Sequence, residues 1–200
     1  MQNQKTEFKP ESYYHIYNKA VGDEKLFYNT DNYRFFLHKL KYYTSPLAYV
    51  MTYCLLPNHF HLLIKTKTEK EIRNNNSLDV TDYSSVFSRK FSHFFNAYSQ
   101  ALNKQQNRYG SLFKNRFQRV QLSDEDYLQK LIVYIHTNPA HHNYSENYET
   151  WEFSSYALIL SNQSTALLRD EVIDLFDNLE NFKYCHQQKK LELEERYLLE

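Results

Sequence analysis

Two runs of strand-forming residues, Leu47 to Leu55 and His59 to Thr66, flank Pro57-Asn58, a dipeptide with turn chemistry, and predict an antiparallel pair. Upstream, Ser12 to Asn18 alternates β-friendly residues and meets Val21-Gly22-Asp23, which reads as a first strand closed by a turn. Between these strands, Asp31 to Tyr43 sets Tyr33, Phe36, Leu37 and Leu40 at helical spacing, with Asn29 or Thr30 as the cap and Ser45-Pro46 as the stop.

Lys67 to Ser77 is polar and reads as a loop. A long helix follows from Asp82 to about Gln106, its apolar stripe made by Val86, Phe87, Phe91, Phe94, Phe95, Tyr98 and Leu102. Arg108-Tyr-Gly-Ser111 breaks the pattern, and Leu112 to Leu122 supplies a fourth strand. Ser123-Asp-Glu-Asp126 opens another helix, which Asn138-Pro139 is expected to end. The order β-α-β-β-α-β, followed by a helix, implies an α+β fold: a ferredoxin-like antiparallel sheet with helices on one face. Residues 1–140 form the main domain. Residues 141–200 are a mostly helical C-terminal extension packed on it, with helices expected near Ser154 to Leu160, near Asp170 to Leu179, and over the charged, leucine-bearing Gln187 to Glu200.

Composition adds three constraints. A chain of 200 residues with 2 glycines and 4 prolines has enough length for a real core and no flexible linker. The 19 tyrosines and 14 phenylalanines serve first as core, and secondarily as flat surfaces on which unpaired bases stack. Cys54 and Cys185 fit no metal or redox spacing and are expected as reduced thiols. With no apolar leader and no run of membrane-spanning length, the expectation is a cytoplasmic protein with no membrane partner.

The net charge is zero, but its distribution is uneven. Tyr83 to Ser123 holds seven Lys or Arg and no acid, whereas His141 to Glu200 holds twelve acids and five bases. A basic stretch of this kind suits a phosphate backbone; the plainer alternative is a solvated face that meets the acidic tail.

The candidate chemistry begins at His59-Phe60-His61. On a strand both imidazoles project to one side, which makes half of a metal site. On the helix from Asp124, Leu128, Leu131, Ile132 and Ile135 form the buried stripe. Tyr134 and Asn138 stand roughly 110° and roughly 70° from its centre, at the margin, as i and i+4 neighbours. His59, His61 and Asn138, completed by water and phosphate oxygens, suit Mn²⁺ or Mg²⁺ acting as a Lewis acid on a scissile phosphate. Tyr134 is then the candidate nucleophile. Taken singly, each element has a plainer reading as packing or surface; together and in this order they point to one reaction.

Several segments together resemble the REP-associated tyrosine transposases, within the single-tyrosine HUH transposases. They are Tyr14-His-Ile-Tyr-Asn-Lys19, Leu56-Pro-Asn-His-Phe-His-Leu-Leu-Ile64, Gly110-Ser-Leu-Phe-Lys-Asn-Arg-Phe117, Tyr134-Ile-His-Thr-Asn-Pro139 and Trp151-Glu-Phe-Ser-Ser-Tyr156. The likeness spans about Ser12 to Tyr156. It implies a metal-dependent endonuclease and strand transferase on single-stranded DNA, often beside a hairpin. Tyr134 would be the nucleophile that retains the 5′-phosphate, His59 and His61 the HUH pair, and Asn138 the third ligand, a position that is Gln in many relatives. Thr137 and Asn138 occupy the places where a second tyrosine would stand, which favours the single-tyrosine class.

Arg89, Lys90, Lys114, Arg116 and Arg119 are the expected backbone contacts. Tyr127 is read as packing, His15 as a core histidine, and His136, His141 and His142 as surface or DNA-proximal. The acidic extension is expected either to pack on the domain or to screen the basic groove. Beside an active transposase stand two other readings, an inactive DNA-binding module of the same fold and a metal nuclease that uses water. Monomer and homodimer both remain open.

Overall fold

The computed structural model describes residues 6–76 and 82–188. Strands β1 (Tyr13–Lys19), β2 (Ala48–Leu56), β3 (His59–Thr66) and β4 (Gln118–Leu122) form one antiparallel sheet in the order β2-β3-β1-β4. This is the expected ferredoxin-like sheet in a mixed α+β protein, with seven helices among the described residues, although the helices cover both faces of the sheet rather than the one face expected.

Alternation along the strands divides the interior in two. Tyr14, Ile16, Phe60, Leu62 and Ile64 pack with α1 (Thr30–Thr44) and α3 (Tyr83–Gln105). Met51, Cys54, Leu56, Leu63 and Leu122 pack with α4 (Glu125–His141) on the opposite face. In β2 the switch of faces needs an extra residue: pairing steps from Val50↔Ile64 to Thr52↔Leu63 and leaves Met51 as a bulge. Val50, Tyr53 and Leu55 thereby reach the first core, and Cys54 and Leu56 the second.

Three elements before the extension depart from the sequence expectation. Within Lys67 to Ser77 lies α2 (Glu69–Asn76), opened by a capping box: Thr68 Oγ1 accepts from Glu71 N–H (3.1 Å), while Glu71 Oε2 accepts from Thr68 N–H (2.9 Å). Buried Ile72 pins the helix beneath its polar residues. The expected strand Leu112 to Leu122 shortens to β4. Leu112 and Phe113 are adjacent yet both buried in the first core, which a regular strand with alternating faces cannot achieve. Finally, α4 runs past Asn138-Pro139 to His141. Its end is set by Asn143 in the left-handed conformation (φ 56°), where Asn143 N–H donates to Ala140 O (3.1 Å) and Tyr144 N–H to Pro139 O (2.8 Å).

The extension continues through a 3₁₀ turn (Tyr148–Thr150), α5 (Tyr156–Leu160), α6 (Arg169–Asp174) and α7 (Leu179–Gln188). The helix expected over Asp170 to Leu179 is broken at Asp177 (φ 65°), between α6 and α7. Of the expected helix Gln187 to Glu200, residues 189–200 lie outside those described. Tyr148, Tyr156, Ile159, Val172, Phe176 and Phe182 fill the second core against α4. The extension also hydrogen-bonds the outer edge of β2, through Leu55 N–H to Phe153 O (2.9 Å), Ser155 N–H to Tyr53 O (2.9 Å) and Leu168 N–H to Val50 O (3.0 Å). Cys54 and Cys185 are free thiols. Among the described residues no helix is long and apolar enough to cross a membrane.

Candidate active site

The α4 face of β3 and β1 gathers a run of imidazoles. His59 and His61 project from β3 toward α4; register sets Lys19 opposite His59 and Tyr17 opposite His61 on β1. His15, two residues along the same face of β1, meets His61 with its Nε2 2.9 Å from His61 Nδ1, their rings stacked at 5.1 Å.

From the other side α4 delivers the remaining groups. His59 Nε2 stands 2.9 Å from Asn138 Oδ1, and the Tyr134 ring meets His61 edge-on at 5.2 Å between centroids. The four residues singled out as metal ligands and nucleophile thus lie together. Tyr134 and Asn138 do not sit at a helix margin, however. Tyr134 is 6% exposed and Asn138 fully buried, because both side chains face the histidines of β3. His141 and His142, exposed at the end of α4, flank the group: the His142 ring is 4.6 Å from His59 and the His141 ring 6.0 Å from Tyr134.

Burial dominates the electrostatics. It pushes the His59 imidazole down to about 4, assisted by His142 and Lys19 and opposed by the Asn138 hydrogen bond. His61 is held well below the usual histidine range by burial first, then by His15, His59 and His142. Both rings are therefore neutral at neutral pH, the form in which imidazole has a lone pair for a metal.

Hydrogen-bond bookkeeping tests whether the site fits a cation. His59 Nδ1 lies 2.7 Å from Asn58 Oδ1, which also accepts from Tyr144 Oη–H (3.1 Å). With the His59 proton on Nδ1 toward Asn58, the Nε2 lone pair is left facing the Asn138 amide, whose Nδ2 is buried without a hydrogen-bond partner. His61 Nε2 is likewise buried without a hydrogen-bond partner. Two imidazole nitrogens and an amide oxygen are a donor set that fits a divalent cation. Among the described residues there is no group of three His, Cys, Asp or Glu that would hold a metal, so the donor set depends on the amide of Asn138.

Four of the five expected DNA contacts share a second feature. Arg89, Lys114, Arg116 and Arg119 line a groove of about 950 Å³ between the polar side of α3, with Asn96 and Gln100, and the segment after Gly110. Lys90 does not line it. The groove segment is tied to the end of β1 that carries Lys19, through Lys114 N–H to Lys19 O (2.9 Å). Lys114 and Arg116 are exposed. Arg119 is committed inward instead: its Nε–H donates to Thr6 O, one terminal N–H to Ser88 Oγ (3.2 Å), and its guanidinium lies 4.5 Å over the Phe8 ring. No described residue of the extension lines the groove; Glu171 pairs with Lys65 (2.9 Å) and Glu152 with Arg34 (3.8 Å).

His136 is neither at the surface nor able to approach DNA. It is fully buried, with Nδ1 2.8 Å from His186 Nε2 and Nε2 2.8 Å from Ser155 Oγ. Lys19, Asn58 and Tyr144 went unsingled in the sequence. Their place follows from strand register and chain reversal, which no local pattern encodes.

Fold and site together define a class: an α+β protein with a ferredoxin-like sheet and a buried His-x-His pair facing a tyrosine and an asparagine on one helix. No family profile and no curated protein matches the chain. Among solved structures, the fold is similar to that of a REP-associated tyrosine transposase bound to a REP hairpin. The TM-score is 0.60 at 16% identity, over 81% of this chain and 86% of that one. At that identity the likeness establishes the shared fold.

Proposed function

We propose that the protein is a divalent-metal-dependent endonuclease and strand transferase acting on single-stranded DNA beside a hairpin, through a covalent 5′-phosphotyrosine on Tyr134. The observation that carries this reading is the meeting of His59 and Asn138 beside His61, whose Nε2 is buried without a hydrogen-bond partner, with the Tyr134 ring against His61. The DNA partner is supported by the basic groove and by the hairpin bound to the structural neighbour.

His59, His61 and Asn138 would hold Mg²⁺ or Mn²⁺, which when bound supplies Lewis-acid polarisation of a phosphate. Tyr134 and Asn138 are one turn apart on a helix held by the second core, so the nucleophile and the amide ligand keep a fixed separation. In the chemical step the Tyr134 oxygen forms a bond to phosphorus and the P–O3′ bond breaks. The phenol proton passes to the departing oxygen, leaving a free 3′-hydroxyl and a 5′-phosphotyrosine. Attack by another 3′-hydroxyl reverses the step and joins strands. Arg89, Lys114 and Arg116 would hold the DNA backbone in the groove.

The test is incubation with labelled, hairpin-containing single-stranded DNA and Mn²⁺ or Mg²⁺, followed by a denaturing gel. A protein–DNA adduct is expected, and Tyr134→Phe abolishes it. An adduct that survives in that variant assigns the wrong tyrosine. Cleavage with no adduct indicates a water nucleophile, and shifted but uncut DNA indicates a binding module.

A further inference from the structure

We infer that His15 is a positioning residue for the metal centre: its Nε2 accepts the Nδ1 proton of His61 and so turns the His61 Nε2 lone pair toward the site. The inference rests on the metal-dependent reading above.

His61 contributes a ligand only if Nε2 is unprotonated, which in a neutral imidazole requires the proton on Nδ1. That nitrogen faces His15 Nε2 at 2.9 Å, in a fully buried pair with rings 17° from parallel. Either ring can be the donor when the two are considered alone. If His15 donated, His61 would carry its proton on Nε2, leaving a buried, unpartnered N–H where the proposed ligand set needs a lone pair. If His61 donates, the group left over is the Nε2 lone pair, which lacks any other partner. Only the second arrangement is completed by a cation.

The two ligand imidazoles are then held from behind in the same way. Asn58 accepts from His59 Nδ1 on the turn side, and His15 accepts from His61 Nδ1 on the β1 side. Partners that fix the orientation and basicity of a ligating imidazole typically change metal affinity about 10- to 100-fold when removed. The remaining nitrogen of His15, Nδ1, is buried without a hydrogen-bond partner, so the contact with His61 is the polar interaction that this ring makes among the described residues. On β1 the residue sits two positions from Tyr17, the residue facing His61, on the same face of the strand, and forms no part of the nucleophile's helix.

The test titrates Mn²⁺ into the full-length wild type and into His15→Met and His15→Gln, reading free Mn²⁺ by electron paramagnetic resonance. Met fills the space without an acceptor at that place, whereas the Gln carbonyl retains one. The expected result is a Kd weakened about tenfold or more in His15→Met and largely restored in His15→Gln, with melting temperatures reported alongside. A folded His15→Met that binds Mn²⁺ as the wild type does overturns the inference and leaves the metal centre standing. A wild type that takes up no Mn²⁺ overturns both. Nitrogen-15 spectra of the wild type with saturating Mg²⁺ need no variant to fold: an Nδ1 proton on His61 is expected, and an Nε2 proton overturns the assignment.

Discussion

Asn138 is the one neutral oxygen among the proposed ligands, and it is fully buried. Asn138→Asp replaces it with a carboxylate of nearly the same shape. Ligand charge count tunes affinity at oxygen sites, so the variant should bind Mn²⁺ about tenfold more tightly. It should also be less stable without metal, since a buried carboxylate lacks a compensating charge. Equal or weaker Mn²⁺ affinity in a folded Asn138→Asp protein would remove Asn138 from the ligand set. The buried histidines make a separate prediction about pH. His136 is held well below its ordinary range by burial and by His186, and burial pushes His186 to about 4. Unfolded histidine titrates near about 6.5, so as pH falls the unfolded chain takes up protons before the folded one does. Stability is therefore complete above that value and lost as pH drops toward about 4, by roughly 1.4 kcal/mol per pH unit for each such histidine. Urea midpoints should fall steeply between pH 7 and pH 5. A flat profile would mean that the pair is charged or open in the native state.

Among the elements, those with strict periodicity were legible and those bound by tertiary contacts were not. The alternation in β3 and the stripe of α3 identify both elements and their faces in the sequence itself. The shortening of β4 escaped because Leu112 and Phe113 look like strand residues and are claimed by the core as a pair. The αL conformation of Asn143 outweighs Pro139 for a physical reason: proline forfeits one N–H, which a helix can bear in its last turn. At the site, His59, His61, Tyr134 and Asn138 could be named from spacing and resemblance. Lys19, and the His15 contact to His61, depend on pairing between distant segments, whereas Asn58 meets its own neighbour His59. The basic elements separate in function as well. Arg116→Ala, on the exposed segment beside the groove, should lower the salt dependence of DNA binding by about one counterion with stability unchanged. Arg119→Ala removes contacts to Thr6, Ser88 and Phe8 and should lower the melting temperature instead. Equal salt slopes for Arg116→Ala and the wild type would place the DNA elsewhere.

For the whole molecule, the sheet serves two cores, and the extension completes the one that holds the site. If the acidic extension screened the basic groove, removing residues 141–200 would strengthen non-specific DNA binding. The structure gives the cut a different consequence, since it strips Tyr148, Tyr156, Ile159, Val172, Phe176 and Phe182 from α4 and uncovers the edge of β2. A fragment of residues 1–140 should be insoluble or lack a cooperative thermal transition, as measured by light scattering and circular dichroism. A soluble fragment that melts cooperatively would show that α4 can stand on the sheet alone.

The bond between His136 on α4 and His186 on α7 also sets an order in time. A ribosome releases the sheet, α1, α3 and α4 well before α7 emerges, so the newborn chain holds Tyr134 on a helix whose core is still incomplete. Tyr134 is fully packed only when nearly the last described residues have been made. A stalled or truncated copy would carry the proposed catalytic residues without the packing that holds them in place.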